Sequence, residues 1–276
     1  MTKEDYDAIY LQRKAEYDAL HEKFNPDGSK LRKYQLHLVE VMKEFDRFCR
    51  QNDITYYIAY GTLLGAIRHK GFIPWDDDVD IQMTREEYQK LEKIMTAEGQ
   101  LTDSVYVVQG IRPELWAAPF AYIDIFILEK APANQFLRWF KTRLMQFAYA
   151  MVKCRESINR HNDKKFKSYY ILKPIAFLAP IRFWRKWHHD IQQWWTTDRY
   201  TKDSKCYQCY NHPISAIPKQ YPINCFMAQL PDYVQFEGGA FPIPNGFEEL
   251  LKISYGDFMQ IPDIDHIHVH GIVDQL

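Results

Sequence analysis

Asp78 and Asp80 sit two residues apart in Trp75-Asp76-Asp77-Asp78-Val79-Asp80-Ile81, and that spacing carries the chemistry of the chain. Side chains two apart on a strand share a face, so both carboxylates crowd one point, with Asp76 on the same parity and Asp77 and Val79 turned away. Such crowding is costly unless a divalent cation or a shared proton lies between the acids. A run of acids is ordinarily a solvated loop. This one, however, merges into Val79, Ile81 and Met83, and carboxylates that enter a sheet need a partner. Asp124 poses the same problem as the lone charge within Ala121–Leu128, AYIDIFIL, where an unpartnered carboxylate is expensive.

The elements upstream decide where these acids point. Thr55 to Tyr60 is aromatic and β-branched and predicts a strand that feeds a turn at Gly61, followed by a short helix. A strand delivering a glycine turn and a helix N-terminus aims backbone N–H groups at a phosphate. Gly61 and Thr62 are the expected cradle, while Leu63, Leu64 and Ile67 anchor the helix. Arg68, His69 and Lys70 follow, and Arg68 and Lys70 are expected phosphate contacts that neutralise a diphosphate; the bland alternative is a solvated basic loop. Pro74 excludes helix and biases Ile73 to extended geometry, which sets the approach to the acids.

The stretch Gly61–Met83, GTLLGAIRHKGFIPWDDDVDIQM, resembles the signature of the LicD family of phosphotransferases, which is related to the fukutins. The resemblance continues more loosely through Tyr122-Ile123-Asp124-Ile125-Phe126, Phe236-Glu237-Gly238 and Tyr255-Gly256-Asp257-Phe258-Met259. It implies an α/β, nucleotidyltransferase-like mixed sheet flanked by helices. It also implies transfer of phosphocholine from CDP-choline to a sugar of a teichoic acid or surface-glycan precursor. On that pattern Asp78, Asp80 and Asp124 hold Mg²⁺, or Mn²⁺ in its place, since hard oxygen ligands favour these over zinc. Asp124 is also a candidate general base toward the acceptor hydroxyl, and Asp76 a supporting or substrate contact. By resemblance, Tyr255 and Asp257 line the substrate site and, in the His266-x-His268-x-His270 alternation, His268 or His270 contacts donor phosphate. A choline group calls for an aromatic cage; Trp75, Trp116, Tyr122 and Tyr255 are candidates among which the sequence does not choose.

Composition narrows the class. The 276 residues are 46% hydrophobic, enough for a core, and the net charge of -1 gives no general pull toward nucleic acid. The N-terminal stretch lacks the apolar run of a signal peptide, which points to a cytoplasmic enzyme or one peripheral to the inner face of a membrane. Five cysteines are an odd and unevenly spaced set that does not read as a disulfide framework. Cys206, Cys209 and His212, with Cys225 downstream, have zinc-like spacing but lack the second paired half of a persuasive zinc motif.

Three segments organise the chain. Residues 1–131 are expected to form the catalytic core, with two helices before the motif. The second of these buries the stripe Leu31, Tyr34, Leu38, Val41, Met42, Phe45 and Phe48. Residues 132–233 are expected to form a helical, basic-aromatic insert. Its Arg182-Phe183-Trp184-Arg185-Lys186-Trp187 run suits either contact with a membrane interface and a lipid-linked glycan acceptor, or packing within the insert. Residues 234–276 return to the core, with Asn245 capping a helix that closes at Tyr255-Gly256-Asp257. Two rival functions stay open: transfer of another phosphoalcohol or a nucleotide on the same scaffold, and a non-catalytic scaffold in a membrane glycan assembly complex.

Overall fold

The computed structural model describes residues 3–98, 123–156, 169–194, 201–209, 219–227 and 231–263. The chain divides into two compact units, Met1–Leu128 with Ile223–Leu276, and Glu129–Pro222. The architecture is α/β, with a mixed sheet flanked by helices.

The first unit begins with α1 (Lys3–Gln12), α2 (Lys14–Phe24) and α3 (Lys30–Gln51). Ser29 caps α3 by accepting the Arg32 N–H at 3.1 Å, satisfying one of the orphan donors of a helix start. The predicted stripe is the buried face of α3; Leu31, Tyr34, Leu38, Val41, Met42 and Phe45 are all in the core, with Phe48 packed against it. The strand expected over Thr55–Tyr60 is much shorter: β1 is only Tyr57–Ile58, and α4 (Tyr60–Arg68) starts at once. Tyr60 makes that abrupt change with φ of 40°, a region bulky side chains seldom occupy.

β2 (Asp80–Thr84) pairs antiparallel with β1 and parallel with β3 (Asp124–Lys130), and α5 (Arg85–Glu98) follows β2. Ile81, Met83, Ile125 and Ile127 turn to one face of this sheet and join the core under α3 and α4. The opposite face carries Asp80, Gln82, Asp124 and Phe126, because side chains alternate along each strand. The chain returns through a 3₁₀ turn at Ile223–Phe226, the hairpin β6 (Asp232–Phe236) and β7 (Gly239–Ile243), and α9 (Phe247–Tyr255). This return comes earlier than the expected residue 234. The Cys225 carbonyl accepts the Gly246 N–H at 3.1 Å, so the 3₁₀ turn packs with α9. Gly246, not Asn245, is the N-cap of α9, and no side chain caps it. Gly256, at φ of 67°, closes the helix as expected of a C-terminal glycine.

The second unit is helical, with α6 (Gln135–Glu156), α7 (Tyr169–Phe177) and α8 (Ile181–Trp194), plus the hairpin β4 (Cys206–Cys209) and β5 (Gln220–Pro222). Its aromatics divide between buried and exposed positions. Trp184 is buried and its indole N–H donates to the Ala176 carbonyl at 2.9 Å, with Phe147 and Trp187 packed beside it. Phe136, Trp139, Phe140, Phe177, Leu178 and Phe183 are exposed. Among the described residues, no helix is long and apolar enough to cross a membrane.

Candidate active site

The parallel register of β2 and β3 sets Asp80 directly beside Asp124, and neighbours in a parallel pair share a face. Two backbone bonds fix this alignment: the Asp124 N–H donates to the Val79 carbonyl at 2.8 Å, and the Ala59 N–H to the Asp80 carbonyl at 2.9 Å. Asp78 enters from the segment just before β2. One carboxylate oxygen from each of Asp78, Asp80 and Asp124 lies within 4.8 Å of the other two.

Charge cannot be spread comfortably here. Burial, followed by Asp78, Asp76 and Asp124, holds the Asp80 carboxyl well above the usual carboxylate range. Burial and then Asp78 push Asp124 up to about 7. Asp76 is likewise raised well above the ordinary value by burial, Asp78 and Asp77. The Gly61 N–H reaches Asp80 Oδ2 at 3.3 Å, and Asp124 Oδ1 is buried with no hydrogen-bond partner among the described residues. Three converging carboxylates with an orphaned buried oxygen are a hard-oxygen donor set, the type that Mg²⁺ or Mn²⁺ takes. Among the described residues, no other group of acids, histidines or cysteines converges in this way.

α4 points its N-terminus, the expected phosphate cradle, at these acids. The Gly61 N–H is directed at Asp80, and the buried Thr62 hydroxyl accepts the Asp80 backbone N–H at 2.9 Å. Both residues therefore position Asp80, and the positive end of the helix favours its ionised form. Glycine is needed at position 61 because a Cβ there would lie 2.6 Å from Asp76 Oδ2.

The loop between α4 and β2 is tied from a distance. Gln35, fully buried on α3, donates to the Asp76 carbonyl at 2.8 Å and is itself held by Asn25 at 2.7 Å. One turn earlier on α3, Arg32 makes a bidentate pair with Glu237 at 2.8 and 2.9 Å. Glu237, at φ of 48° between β6 and β7, also accepts the Phe72 N–H at 3.1 Å and donates its own N–H to the Lys70 carbonyl at 3.1 Å. Gly71 admits this approach, since a Cβ there would come 2.4 Å from Glu237 Oε1. Arg32, Gln35 and Glu237 escaped sequence reasoning. Their one sequence signal was the family-like Phe236-Glu237-Gly238.

The basic residues of the loop depart from expectation. Arg68 is 3% exposed and spends its donors on the Phe258 and Gln260 carbonyls, at 2.9 and 3.1 Å, and on His69 Nε2 at 3.0 Å. It is an internal anchor for the segment after α9 rather than an exposed phosphate contact. Burial pulls its pKa down to about 10, so it remains charged at neutral pH. His69 is pushed well below the usual histidine range by burial, Arg68 and Arg13; it stays neutral, as an acceptor from Arg68 must. Lys70, at φ of 59°, pairs with Asp7. Tyr255 is 43% exposed and lies near enough to Arg68 to raise its pKa. His270, together with His266, His268, His212, Trp116 and Tyr122, lies outside the described residues. Cys206 accepts from Arg138 at 3.5 Å and donates to Gln220 at 3.7 Å, while the Cys225 thiol donates to Glu249 at 3.5 Å.

The chain is similar to known proteins. Residues 53–184 match the family model LicD/FKTN/FKRP, nucleotidyltransferase domain. The chain is 28% identical over 269 residues, 88% of its length and 96% of the relative's, to the lipopolysaccharide cholinephosphotransferase LicD of Haemophilus influenzae. It is 34% identical over 134 residues to an uncharacterized protein of Rickettsia prowazekii, covering 47% of each chain. A 60-residue stretch is 33% identical to mannosyltransferase regulator 4 of Saccharomyces cerevisiae, spanning 22% of this chain and 5% of that protein.

Proposed function

We propose that this chain, which matches the LicD family model over residues 53–184 and aligns with a cholinephosphotransferase along most of its length, is a transferase that moves phosphocholine from CDP-choline to a hydroxyl of a cell-surface glycan precursor. The observation that carries this reading is the convergence of Asp78, Asp80 and Asp124 within 4.8 Å, in a chain that aligns along 88% of its length with a named cholinephosphotransferase. The relative's name gives lipopolysaccharide as its own acceptor, which favours a lipid-linked glycan over other hydroxyl compounds.

Asp78, Asp80 and Asp124 would hold Mg²⁺, or Mn²⁺ in its place. The ion would supply countercharge for the donor diphosphate and for the charge that builds on it during transfer. Gly61 and Thr62 hold Asp80 in place, and the Gln35 bond to Asp76 and the Glu237 bonds to Lys70 and Phe72 hold the loop that carries Asp76 and Asp78. Asp124 is also placed to take the proton of the attacking hydroxyl as CMP departs. Such a site works mainly by positioning and charge neutralisation, so displacement of an acid by even one ångström is expected to be expensive. The exposed Phe136, Trp139, Phe140, Phe177, Leu178 and Phe183 of the second unit suit a chain that meets its acceptor at a membrane interface.

The test is CMP release from CDP-choline with Mg²⁺ and a hexosamine-containing glycan acceptor, in wild type, Asp80→Asn and Asp124→Asn. Acceptor-dependent release that both substitutions cut by more than about 100-fold is expected, because direct ligands should cost more than supporting residues do. Release from a different CDP-alcohol alone would replace choline while keeping the site. No release from any donor, with no cation bound, would point to a scaffold.

A further inference from the structure

The face of the sheet that bears the acids also bears aromatics. Phe126 lies two residues beyond Asp124 on the same face of β3 and stands in register with Gln82, itself two beyond Asp80. Tyr60, immediately before Gly61, lays its ring against Phe126 at 4.7 Å between centroids and 69° between planes. Tyr57 stands in register with Gln82 on the other side, and its ring meets Phe226 at 5.6 Å. Tyr57 and Phe226 are buried, whereas Tyr60 and Phe126 are half-buried and so keep part of their rings accessible. Tyr60 holds its position with a left-handed backbone at φ of 40°. Strain of this type in a bulky residue is retained where the surrounding structure demands it, and it clusters at ligand sites.

From this juxtaposition we propose that Tyr60 and Phe126 form the subsite for a quaternary ammonium group, one ester linkage away from the phosphorus under attack. The inference deepens the phosphocholine reading and rests on it. A trimethylammonium cation cannot donate hydrogen bonds, so it is held by π faces and nearby negative charge. This location offers the π faces, two ring systems on the sheet face that carries the acids, and the donor's own phosphate supplies the negative charge. Two residues along a strand are about 6.6 Å, which is the scale of the choline arm rather than of the longer span from that phosphorus to a nucleobase. A second aromatic group among the described residues, Tyr17, His69 and Trp75, suits a cation poorly, because Arg13 stacks over Tyr17 and Arg68 donates to His69.

The test compares wild type with Phe126→Leu, Phe126→Trp and Tyr60→Leu. It measures KM and kcat for CDP-choline and CDP-ethanolamine, and the affinity of CMP. Loss of a ring is expected to weaken CDP-choline by about 5- to 30-fold, the range of a cation–π contact, with a smaller effect on CDP-ethanolamine, whose ammonium can hydrogen-bond. CMP affinity should stay within about twofold, and Phe126→Trp should restore the choline preference. Equal losses for CMP and both donors would assign the rings to the cytosine base and overturn the proposal, as would an unchanged ratio between donors. A wild-type protein that neither binds CDP-choline nor releases CMP from it would overturn the phosphocholine reading itself, and this inference with it.

Discussion

Gly61→Ala separates the fold from the site. A methyl group at this position would lie 2.6 Å from Asp76 Oδ2 and 3.7 Å from Asp80 Oδ2. An ordinary contact begins near 3.4 Å, so the Asp76 carboxylate must retreat by about 0.8 Å. Asp76 has little room to do so, since its backbone carbonyl is held by Gln35 and its side chain faces Asp78. The displacement should therefore pass to the acids that converge with Asp78. Supporting residues of a metal site are worth about 10- to 100-fold in affinity, and a misplacement near one ångström can cost about 100-fold in rate. Stability should change much less. Replacing glycine by alanine in a helix gains up to about 1 kcal/mol, which offsets part of a crowding cost of about 1–3 kcal/mol. The assay is Mn²⁺ affinity by calorimetry at pH 8, alongside thermal melts. The expected result is a dissociation constant raised about 10- to 100-fold in a protein that melts cooperatively near the wild-type temperature. Gly65→Ala is the contrast, because its methyl would meet the Gly71 carbonyl oxygen at 2.4 Å, a backbone atom that cannot swing aside. An Mn²⁺ affinity for Gly61→Ala within twofold of wild type would refute the claim that position 61 governs the acids.

Other outcomes follow from the same geometry. Glu237→Ala should cost about 1–3 kcal/mol, because Arg32 loses its bidentate partner and keeps only the exposed Asp27 at 3.9 Å, and it should reduce CMP release beyond what its melting temperature explains, because the Phe72 N–H loses its acceptor. A melt matching wild type would refute the first part, and activity that tracks stability alone the second. The pH dependence of the cation-free protein has a definite sign. The raised pKa of Asp124, about 7, means the folded state binds its proton more tightly than the unfolded state does. That contribution is complete below the unfolded carboxylate range near 4 and is lost as pH rises through about 7. The depressed pKa of His69 acts the other way, removing stability below about pH 6.5. Between about pH 6.5 and 8 the melting temperature in EDTA should therefore fall, and Mg²⁺ should raise it more at the upper end. An equal Mg²⁺ effect across that range would argue against the acids as its site.

The acids were legible because cost is local: a carboxylate inside an apolar strand advertises a need for a partner, and parity places Asp76, Asp78 and Asp80 on one side without knowledge of the fold. The α3 stripe was legible for the same reason, since helical period survives in a short window. Arg68 was misread because sequence records its charge but not its burial, and the carbonyls that surround it come from Phe258 and Gln260, 190 and 192 residues away. Arg32 and Glu237 were invisible as a pair because 205 residues separate them. Tyr60 and Phe126 read as ordinary strand aromatics until the register of β2 and β3 and the early start of α4 brought their rings together.

The bond from Arg32 to Glu237 also sets an order of events during synthesis. All three acids are made before the second unit, yet Glu237, which ties down Lys70 and Phe72, leaves the ribosome more than a hundred residues after Asp124. At usual elongation rates that delay is on the order of ten seconds. Throughout it the nascent chain holds a half-built, like-charged centre while Glu129–Pro222 is being added. A ribosome stalled within β5 would thus display the whole aspartate motif without the residue that fastens the loop leading into it.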